Sequence, residues 1–400
     1  MNMSINGYLT WSDILTSLSK MIEEMKGRSL SFKGRILTAK SLLLSKIWYA
    51  ATMTPPDART TIQSLINNWI KQGKKILPNI KTFQHSVTTG GLNAPRFDLM
   101  VKARLASVWL NLLTSNHLWA RAGRHSLESH FLETKNQDLA QVISSPPSKI
   151  AAWPPNWRPF AAAWRMLDGS YEDSFSSASI SLQDITIAGV PAPEYTVRLG
   201  HRYLRRKIGL LSPLETPGSH PVLSTPTELK WHLTRHPAIP TNMLDVLWRA
   251  AHNSLPLKNR TRHFSEEGTP SCPWCPDEKQ NLTHFLSRCR LAISIWEVSY
   301  KSMGFPRTAI PPDPCAAIFV ASFSSGKLTT IEKTQIIIHA LTIYEIWRWY
   351  TAHLYGETPN LDAAKKIWST RLAANIDLIL NNKSTSKRIR TRLEKCKRLL

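Results

Sequence analysis

Three cysteines and one histidine within the segment CPWCPDEKQNLTHFLSRC constrain this chain more than any other feature. They are Cys272, Cys275, His284 and Cys289, separated by two, eight and four residues. A two-residue gap allows a tight turn to aim two sulfurs at one metal ion, and a short helix over Asn281–Arg288 would place the other two ligands on nearly one face. Three thiolates and one imidazole form a complete tetrahedral zinc set, which predicts a structural rather than a catalytic Zn²⁺ site. The alternative is that the four are scattered residues of a cytosolic protein that bind no metal.

The remaining sequence predicts an intracellular protein in a reducing compartment. Cys315 and Cys396 have no partners at metal-ligand spacing, and five cysteines in 400 residues do not form a disulfide framework. The polar start MNMSINGYLTWSD is unlike a signal peptide, and the longest apolar run, Ile336–Ile346, contains polar residues. We therefore expect no membrane partner and a location in the nucleus or cytoplasm, with the nucleus favoured.

The charge balance predicts a polyanionic partner. There are 51 Lys+Arg against 28 Asp+Glu, which gives a net charge of +23 and a pI ≈ 10.0. The positive charge is concentrated over Lys20–Lys81 and from Lys383 to the end. Nucleic acid is the usual partner of such a protein, although a solubilising surface is the alternative. A membrane surface is disfavoured because the basic helices lack a strongly apolar opposite face.

Hydrophobic periodicity predicts a mainly α fold with an irregular Pro-rich middle and a small zinc module flanked by helices. The connector carries two β-like runs, Ile185–Val190 and Tyr195–Leu199. Two of the predicted helices are defined by their starts, at Ser12–Asp13 and at Asp57. The other predicted helices span Phe32–Tyr49, Phe97–Ala122, Asn242–Asn253, Ala292–Met303, Thr330–Leu354 and Leu361–Leu380.

Several segments together resemble the C-terminal part of non-LTR (LINE-type) retrotransposon reverse transcriptases. The stretch LWRAAHNSLPLKNR…CPWC…THFLSRCRLAISIW is similar to the zinc-binding domain that follows the polymerase in that family, including a Cys-x-x-Ala…Trp step. YTVRLGHRYLRR from Tyr195 and IYEIWRWY from Ile343 resemble its flanking segments. The N-terminal part resembles the region after the palm, in the thumb position, at Trp11, Arg28, Leu30, Ser31, Gly34, Arg35, the Trp69 helix and the turn Gly90–Gly91–Leu92.

This resemblance implies five regions. They are a thumb-like helical bundle (1–140), a Pro/Ser-rich connector with short strands (141–240), the CCHC zinc module (241–305), C-terminal helices (315–382) and a basic tail (383–400). We expect the palm to be absent: the chain contains no Asp-Asp pair, and only ten residues precede Trp11. Polymerases of this kind hold two metal ions with paired aspartates. The chain alone is therefore predicted not to be an enzyme, although its parent family is an RNA-directed DNA polymerase.

We hypothesise that the basic residues contact the phosphates of RNA or DNA and that Trp274 stacks on an unpaired base. Trp274 has a structural alternative, which is to cover the small core of the zinc site. One other hypothesis is that the chain is part of an active polymerase whose catalytic half is encoded upstream, and that half would then be its partner. Two further hypotheses are a zinc-braced helical interaction protein and a degraded copy without function. The predicted nucleic-acid contacts are Arg28, Lys33, Arg35, Lys258, Arg260, Arg262, Trp274, Arg288 and Arg290.

Overall fold

The protein is mainly α, as predicted, in a computed structural model that describes residues 10–53, 59–72, 78–144, 149–171, 182–212, 231, 237–261, 270–310, 328–356, 360–382 and 385–400. The α-helices of these residues are α1 (Trp11–Lys26), α2 (Phe32–Thr38), α3 (Leu44–Met53), α4 (Arg59–Lys71), α5 (Ile80–Gln84), α6 (Phe97–Thr114), α7 (Leu118–Lys135), α8 (Leu139–Ser144), α9 (Arg158–Met166), α10 (Val197–Lys207), α11 (Thr241–Ala251), α12 (Lys258–Thr261), α13 (Arg290–Ser302), α14 (Thr330–Leu354), α15 (Leu361–Leu380) and α16 (Lys387–Arg398). A π-helical turn, Ala39–Leu43, joins α2 to α3.

Two small antiparallel sheets complete the described structure. The strands are β1 (Ser170–Tyr171), β2 (Ile185–Ile187), β3 (Val190–Pro191), β4 (Ser271–Cys272) and β5 (Cys275–Lys279). The first sheet has the order β1-β2-β3, and the second pairs β4 with β5.

The chain divides into two compact units. Unit 1 contains Met1–Ser29, Gly34–Gln72 and Asn93–Ser212. Its central helix is α6, which packs against α3, α4, α7, α9 and α10. Helix α6 is apolar on most sides, as expected of a helix surrounded by others. Its fully buried Trp109 meets Trp153 edge-to-face, with ring centroids 5.6 Å apart.

Unit 2 contains Leu30–Lys33, Gly73–Leu92 and Pro213–Leu400. Its core lies between α11, α13, α14, α15 and α16. The indole N–H of the buried Trp368 donates to Ser299 Oγ at 3.0 Å, and that hydroxyl lies 2.7 Å from Thr342 Oγ1. These bonds satisfy the polar groups that three helices bring into the core.

The turn that contains Gly90 and Gly91 belongs to unit 2. The carbonyl of Gly90 accepts hydrogen bonds from Trp248 Nε1 and His252 Nε2, each at 2.9 Å. The Trp248 ring in turn packs on Phe32 and Phe83, with centroids 5.7 and 4.7 Å away. The turn and helix α11 therefore form one packed cluster.

Most predicted helices are confirmed, and two end where they were predicted to end: α14 and α15. The helix predicted over Phe97–Ala122 is wrong in length, because the chain breaks at 115–117 into α6 and α7. The predicted start at Asp57 lies outside the described residues. The five predicted region boundaries stay predictions.

One other prediction is corrected, and one helix was not predicted. The run Tyr195–Leu199 is not a strand, since Thr196 caps the N-terminus of α10 by accepting from the Leu199 N–H. The basic tail contains a helix that was not predicted, α16, whose Ile389, Leu393 and Cys396 are buried in the core of unit 2. Within the described residues, every helix is too short or too polar to span a lipid bilayer.

Candidate metal centre

The four predicted ligands come from a β-hairpin and a helical turn of unit 2. Cys272 ends β4, Cys275 begins β5, and the two are paired across the hairpin. His284 begins a π-helical turn, His284–Arg288, and Cys289 follows as the N-cap of α13. The predicted short helix over the third ligand is therefore confirmed as a helical turn that delivers His284 and Cys289 to the hairpin.

The ligand atoms converge on one point. All four lie within 4.8 Å of one another, and the four residues are buried. The Cys272 and Cys289 sulfurs are 3.6 Å apart. Tetrahedral zinc with Zn–S bonds of about 2.3 Å separates its sulfurs by about 3.8 Å. The cluster therefore has the size of a four-coordinate zinc site.

Backbone and side-chain hydrogen bonds fix the ligands in place. The His284 N–H donates to Asn281 Oδ1 at 2.8 Å, and the Cys289 N–H donates to the His284 carbonyl at 2.7 Å. The Arg290 N–H points at Cys275 Sγ from 3.5 Å. N–H groups directed at a sulfur stabilise its thiolate form, and such outer contacts orient metal ligands.

The electrostatics of the cluster favour a bound cation. A hydrogen bond from the Cys289 thiol lowers the pKa of Cys272, and the same shared proton raises the pKa of Cys289. Without a cation the two sulfurs would share one proton, because two adjacent buried thiolates repel each other. The Nε2 atom of His284 is buried and has no hydrogen-bond partner among the described residues. A divalent cation satisfies both the thiolates and this nitrogen.

A hydrophobic shell surrounds the turn that carries the ligands. Phe285 is fully buried and packs on Tyr350 of α14, with centroids 5.3 Å apart. The indole N–H of Trp296 donates to the Leu286 carbonyl at 2.8 Å. With four protein ligands the centre is closed to substrate, so its role is to join the hairpin to the helical turn His284–Arg288 and the start of α13.

Within the described residues, the predicted nucleic-acid contacts are exposed, half-buried or buried. Arg28, Lys33, Arg260, Arg288 and Arg290 are exposed, as phosphate contacts require. Arg288 and Arg290 line a groove beside Cys275 and His284, together with Asp277 and Glu278. Arg262 lies outside the described residues.

Lys258 and Trp274 are half-buried at the edge of unit 2. The Lys258 backbone N–H donates to Gln280 Oε1 at 2.9 Å. The Trp274 ring packs on the core of the unit and lies 5.3 Å from the His353 ring. The structural alternative for Trp274, covering the core, is therefore realised in the fold, while stacking on a base stays a prediction.

The prediction that Arg35 contacts a phosphate is corrected by its position in the fold. Its side chain is 2 % exposed, and its guanidinium donates to the Ile70 carbonyl at 2.6 Å. The Trp69 indole donates to the Arg35 carbonyl at 2.9 Å. Arg35 therefore ties α2 to α4 inside unit 1 and does not present its charge to a phosphate.

The positive charge of the C-terminal segment was predicted from the sequence, but the helix that arranges this charge on one face was not. Arg388, Arg392 and Lys395 follow the i, i+4, i+7 spacing of one helical face and line a groove with Arg398 and Thr330. The interleaved apolar residues at 389, 393 and 396 are the signal that could have predicted this helix.

Comparison with known proteins agrees with this geometry. Residues 223–296 match the family of domains described as zinc-binding in reverse transcriptase. The match includes α11, all four ligands and part of α13 through Trp296. Among curated proteins, none matches the chain. The chain thus contains a zinc-binding domain of the reverse-transcriptase type, and the predicted zinc cofactor is confirmed.

Proposed function

We propose that this chain is a non-catalytic, nucleic-acid-binding part of a non-LTR retrotransposon reverse transcriptase. Its zinc centre braces unit 2, and basic residues of that unit bind the phosphate backbone of RNA or DNA. The single observation that carries the proposal is the basic face of α16, formed by Arg388, Arg392, Lys395 and Arg398, on a helix whose other face is buried in the zinc-containing unit.

The placement of these charges suits a polyanion. Arg388 and Arg398 are ten residues apart, which corresponds to about 15 Å along a helix. Among the described residues, none of the four cations forms an ion pair with a carboxylate, whereas the neighbouring Lys397 lies 2.7 Å from Asp377. Glu394 is the one acid lining the same groove in the described structure. Because the helix is already ordered by its buried face, binding does not require it to fold.

The proposed function includes no polymerisation step, because the sequence lacks the carboxylates that this reaction needs. Two-metal polymerases require carboxylates that share the ions, and this sequence contains no adjacent aspartates. Within the described residues, the zinc quartet is the one group of His, Cys, Asp and Glu that could hold a metal. Polymerisation would then be supplied by a palm outside this chain.

A salt titration with a matched pair of variants tests the proposal. Binding of labelled RNA and DNA oligonucleotides is measured by fluorescence anisotropy between low and moderate salt. Lys395→Gln should reduce the slope of log affinity against log salt by about 0.7–0.9, the value of one phosphate contact. Lys397→Gln removes the same charge from the opposite side and should leave the slope unchanged, since that lysine is already paired with Asp377.

Other outcomes would favour other functions. Zinc-loaded protein that binds no oligonucleotide at any salt would refute the proposal and favour a zinc-braced interaction protein. Primer extension by the purified chain would contradict the non-catalytic assignment.

A further inference from the structure

Unit 1 contains a second surface that the proposed function does not use. It is a cleft of about 770 Å³ between α3, α6 and α10. Its walls carry two aromatic residues, Trp48 and Tyr49, two arginines, Arg104 and Arg198, and one histidine, His201. This volume is within the ~300–1,000 Å³ typical of sites for small organic ligands. The cleft can therefore hold a group the size of a nucleotide.

The aromatic wall includes a ring that the fold leaves open. Tyr49 is 68 % exposed, although it is a large side chain in a helix whose neighbours Leu44 and Ile47 are fully buried. Trp48 beside it is half-buried and tilts against Phe97 at 6.0 Å. An aromatic face that stands open beside a cleft is the form of a stacking platform for a base.

The charge of the cleft is positive. Arg104 and Arg198 are exposed, and in the described part of the chain neither is paired with a carboxylate. The nearby carboxylate of Asp98 is engaged by Arg96, whose Nε and Nη2 donate to its two oxygens at 2.8 and 2.7 Å. Two cations beside an aromatic wall complement a ligand that combines phosphates with planar bases.

His201 adds a polar group that the protein does not satisfy. Its Nε2 atom is buried and has no hydrogen-bond partner among the described residues. Burial, together with the charges of Arg205 and Lys40, lowers the pKa of His201 to about 4, so the ring is neutral at physiological pH. A neutral imidazole offers one donor and one acceptor, which suits the edge of a base or a sugar hydroxyl.

We propose that this cleft binds unpaired nucleotides of a single-stranded nucleic acid, with a base stacked on Tyr49 and flanking phosphates held by Arg104 and Arg198. The inference rests on the proposed function, because it gives the bound nucleic acid a second contact site. It also specifies the class of ligand. Bases inside a duplex already stack on each other, so only an unpaired base offers a free face to the tyrosine ring.

The test compares Tyr49→Ala with Tyr49→Phe in the full chain. Affinity for a single-stranded oligonucleotide is measured by anisotropy at one fixed salt concentration, with a duplex of the same length in parallel. Tyr49→Ala should weaken single-strand binding by about 5- to 150-fold, which corresponds to ~1–3 kcal/mol for one stacked base, whereas Tyr49→Phe should retain it. Duplex binding should not change in either variant.

Two further variants complete the design. Arg104→Gln combined with Arg198→Gln should weaken single-strand binding and reduce its salt slope by about 1.4, or two phosphate contacts. Tyr355→Ala is the matched control, since Tyr355 is 88 % exposed in unit 2 and far removed in sequence from the cleft. It should bind like wild type.

The outcomes separate this inference from the proposed function. If wild-type protein binds nucleic acid and Lys395→Gln weakens it, but the Tyr49 and arginine variants bind single strands like wild type, the cleft proposal is refuted and the proposed function stands. If Tyr49→Ala weakens single-strand and duplex binding equally, the stacking role is also refuted. Absence of any binding by wild type overturns both.

Discussion

Replacing Gly91 by alanine should destabilise unit 2 far more than the addition of one methyl group usually does. A methyl group at Gly91 would lie 2.1 Å from the carbonyl oxygen of His85 and 2.4 Å from its carbon. These are backbone atoms, so no side chain can rotate away. To reach even 3.0 Å, the turn must open by about 0.9 Å, and packed backbone does not yield that distance without losing contacts.

The size of the effect follows from the bonds at risk. The Gly91 N–H donates to Ser86 at 2.7 Å, and the adjoining Gly90 carbonyl accepts from Trp248 and His252 at 2.9 Å each. A lost hydrogen bond costs about 0.5–1.5 kcal/mol, and a buried group left without a partner costs about 1–3 kcal/mol. Loss of two or three such bonds predicts about 2–4 kcal/mol of destabilisation.

Gly27→Ala is the matched control. Gly27 has φ −67° at the end of α1, and nothing lies within 4 Å of a methyl group added there. The same substitution should therefore be neutral or stabilise by up to about 1 kcal/mol. Urea unfolding of the zinc-loaded proteins, followed by tryptophan fluorescence, measures both changes as shifts in midpoint. A wild-type midpoint for Gly91→Ala would refute the role assigned to this turn.

Three other substitutions test the roles of Arg35, Trp296 and His339. Arg35→Met should cost about 2–4 kcal/mol in urea unfolding, because it leaves the Ile70 carbonyl without its charged donor, but the folded protein should bind oligonucleotides as wild type does; weaker binding would restore Arg35 as a phosphate contact. Trp296→Phe should cost about 1–3 kcal/mol and speed zinc release to a chelator, since the Leu286 carbonyl in the ligand-bearing turn loses its donor; an unchanged release rate would contradict that role. Burial lowers the pKa of His339 to about 3 in the folded protein, below its ordinary value of 6.5. As the pH falls from 6.5 toward 3, this histidine therefore takes up a proton only in the unfolded chain. The free energy of unfolding decreases in that pH window. From pH 7 to pH 5 this histidine should account for about 2 kcal/mol, and His339→Leu should lose that much less stability than wild type over the same range; equal losses would exclude it.

The parts of the fold that could be predicted are those whose ends are encoded locally. Helix α14 begins where Thr329 and Glu332 form a capping box, and α15 begins where Asn360 caps Ala363. Both caps are visible in the sequence as polar residues ahead of an apolar periodic run. The zinc ligands were predictable for a similar reason, because their spacing is itself the geometric requirement.

The errors occur where contacts distant in sequence decide the structure. The break between α6 and α7 is stabilised by Arg124, which donates to the carbonyls of Leu112 and Ser115 at 2.6 and 2.7 Å. The break also carries a local signal that the prediction did not use, because Ser115 and Asn116 are residue types common at helix ends. Arg35 was predicted to contact phosphates, and only the packing of α2 on α4 shows that it is buried.

The basic C-terminal segment and the cleft of unit 1 show a different limit. In α16 the apolar signal at Ile389, Leu393 and Cys396 is present but is outweighed by the surrounding charges. The cleft brings together residues from three helices that are separated by about fifty residues or more, and no motif relates Tyr49, Arg104 and His201. Such a site becomes visible only when the helices have been packed.

Zinc K-edge X-ray absorption on the purified chain shows whether the four cysteine and histidine side chains hold a zinc ion. We expect one zinc ion per chain, with three sulfur ligands at about 2.3 Å and one nitrogen at about 2.0 Å, and we expect Cys272→Ser to lose one sulfur ligand or the ion itself. A chain without zinc, or zinc surrounded by oxygen, would contradict it.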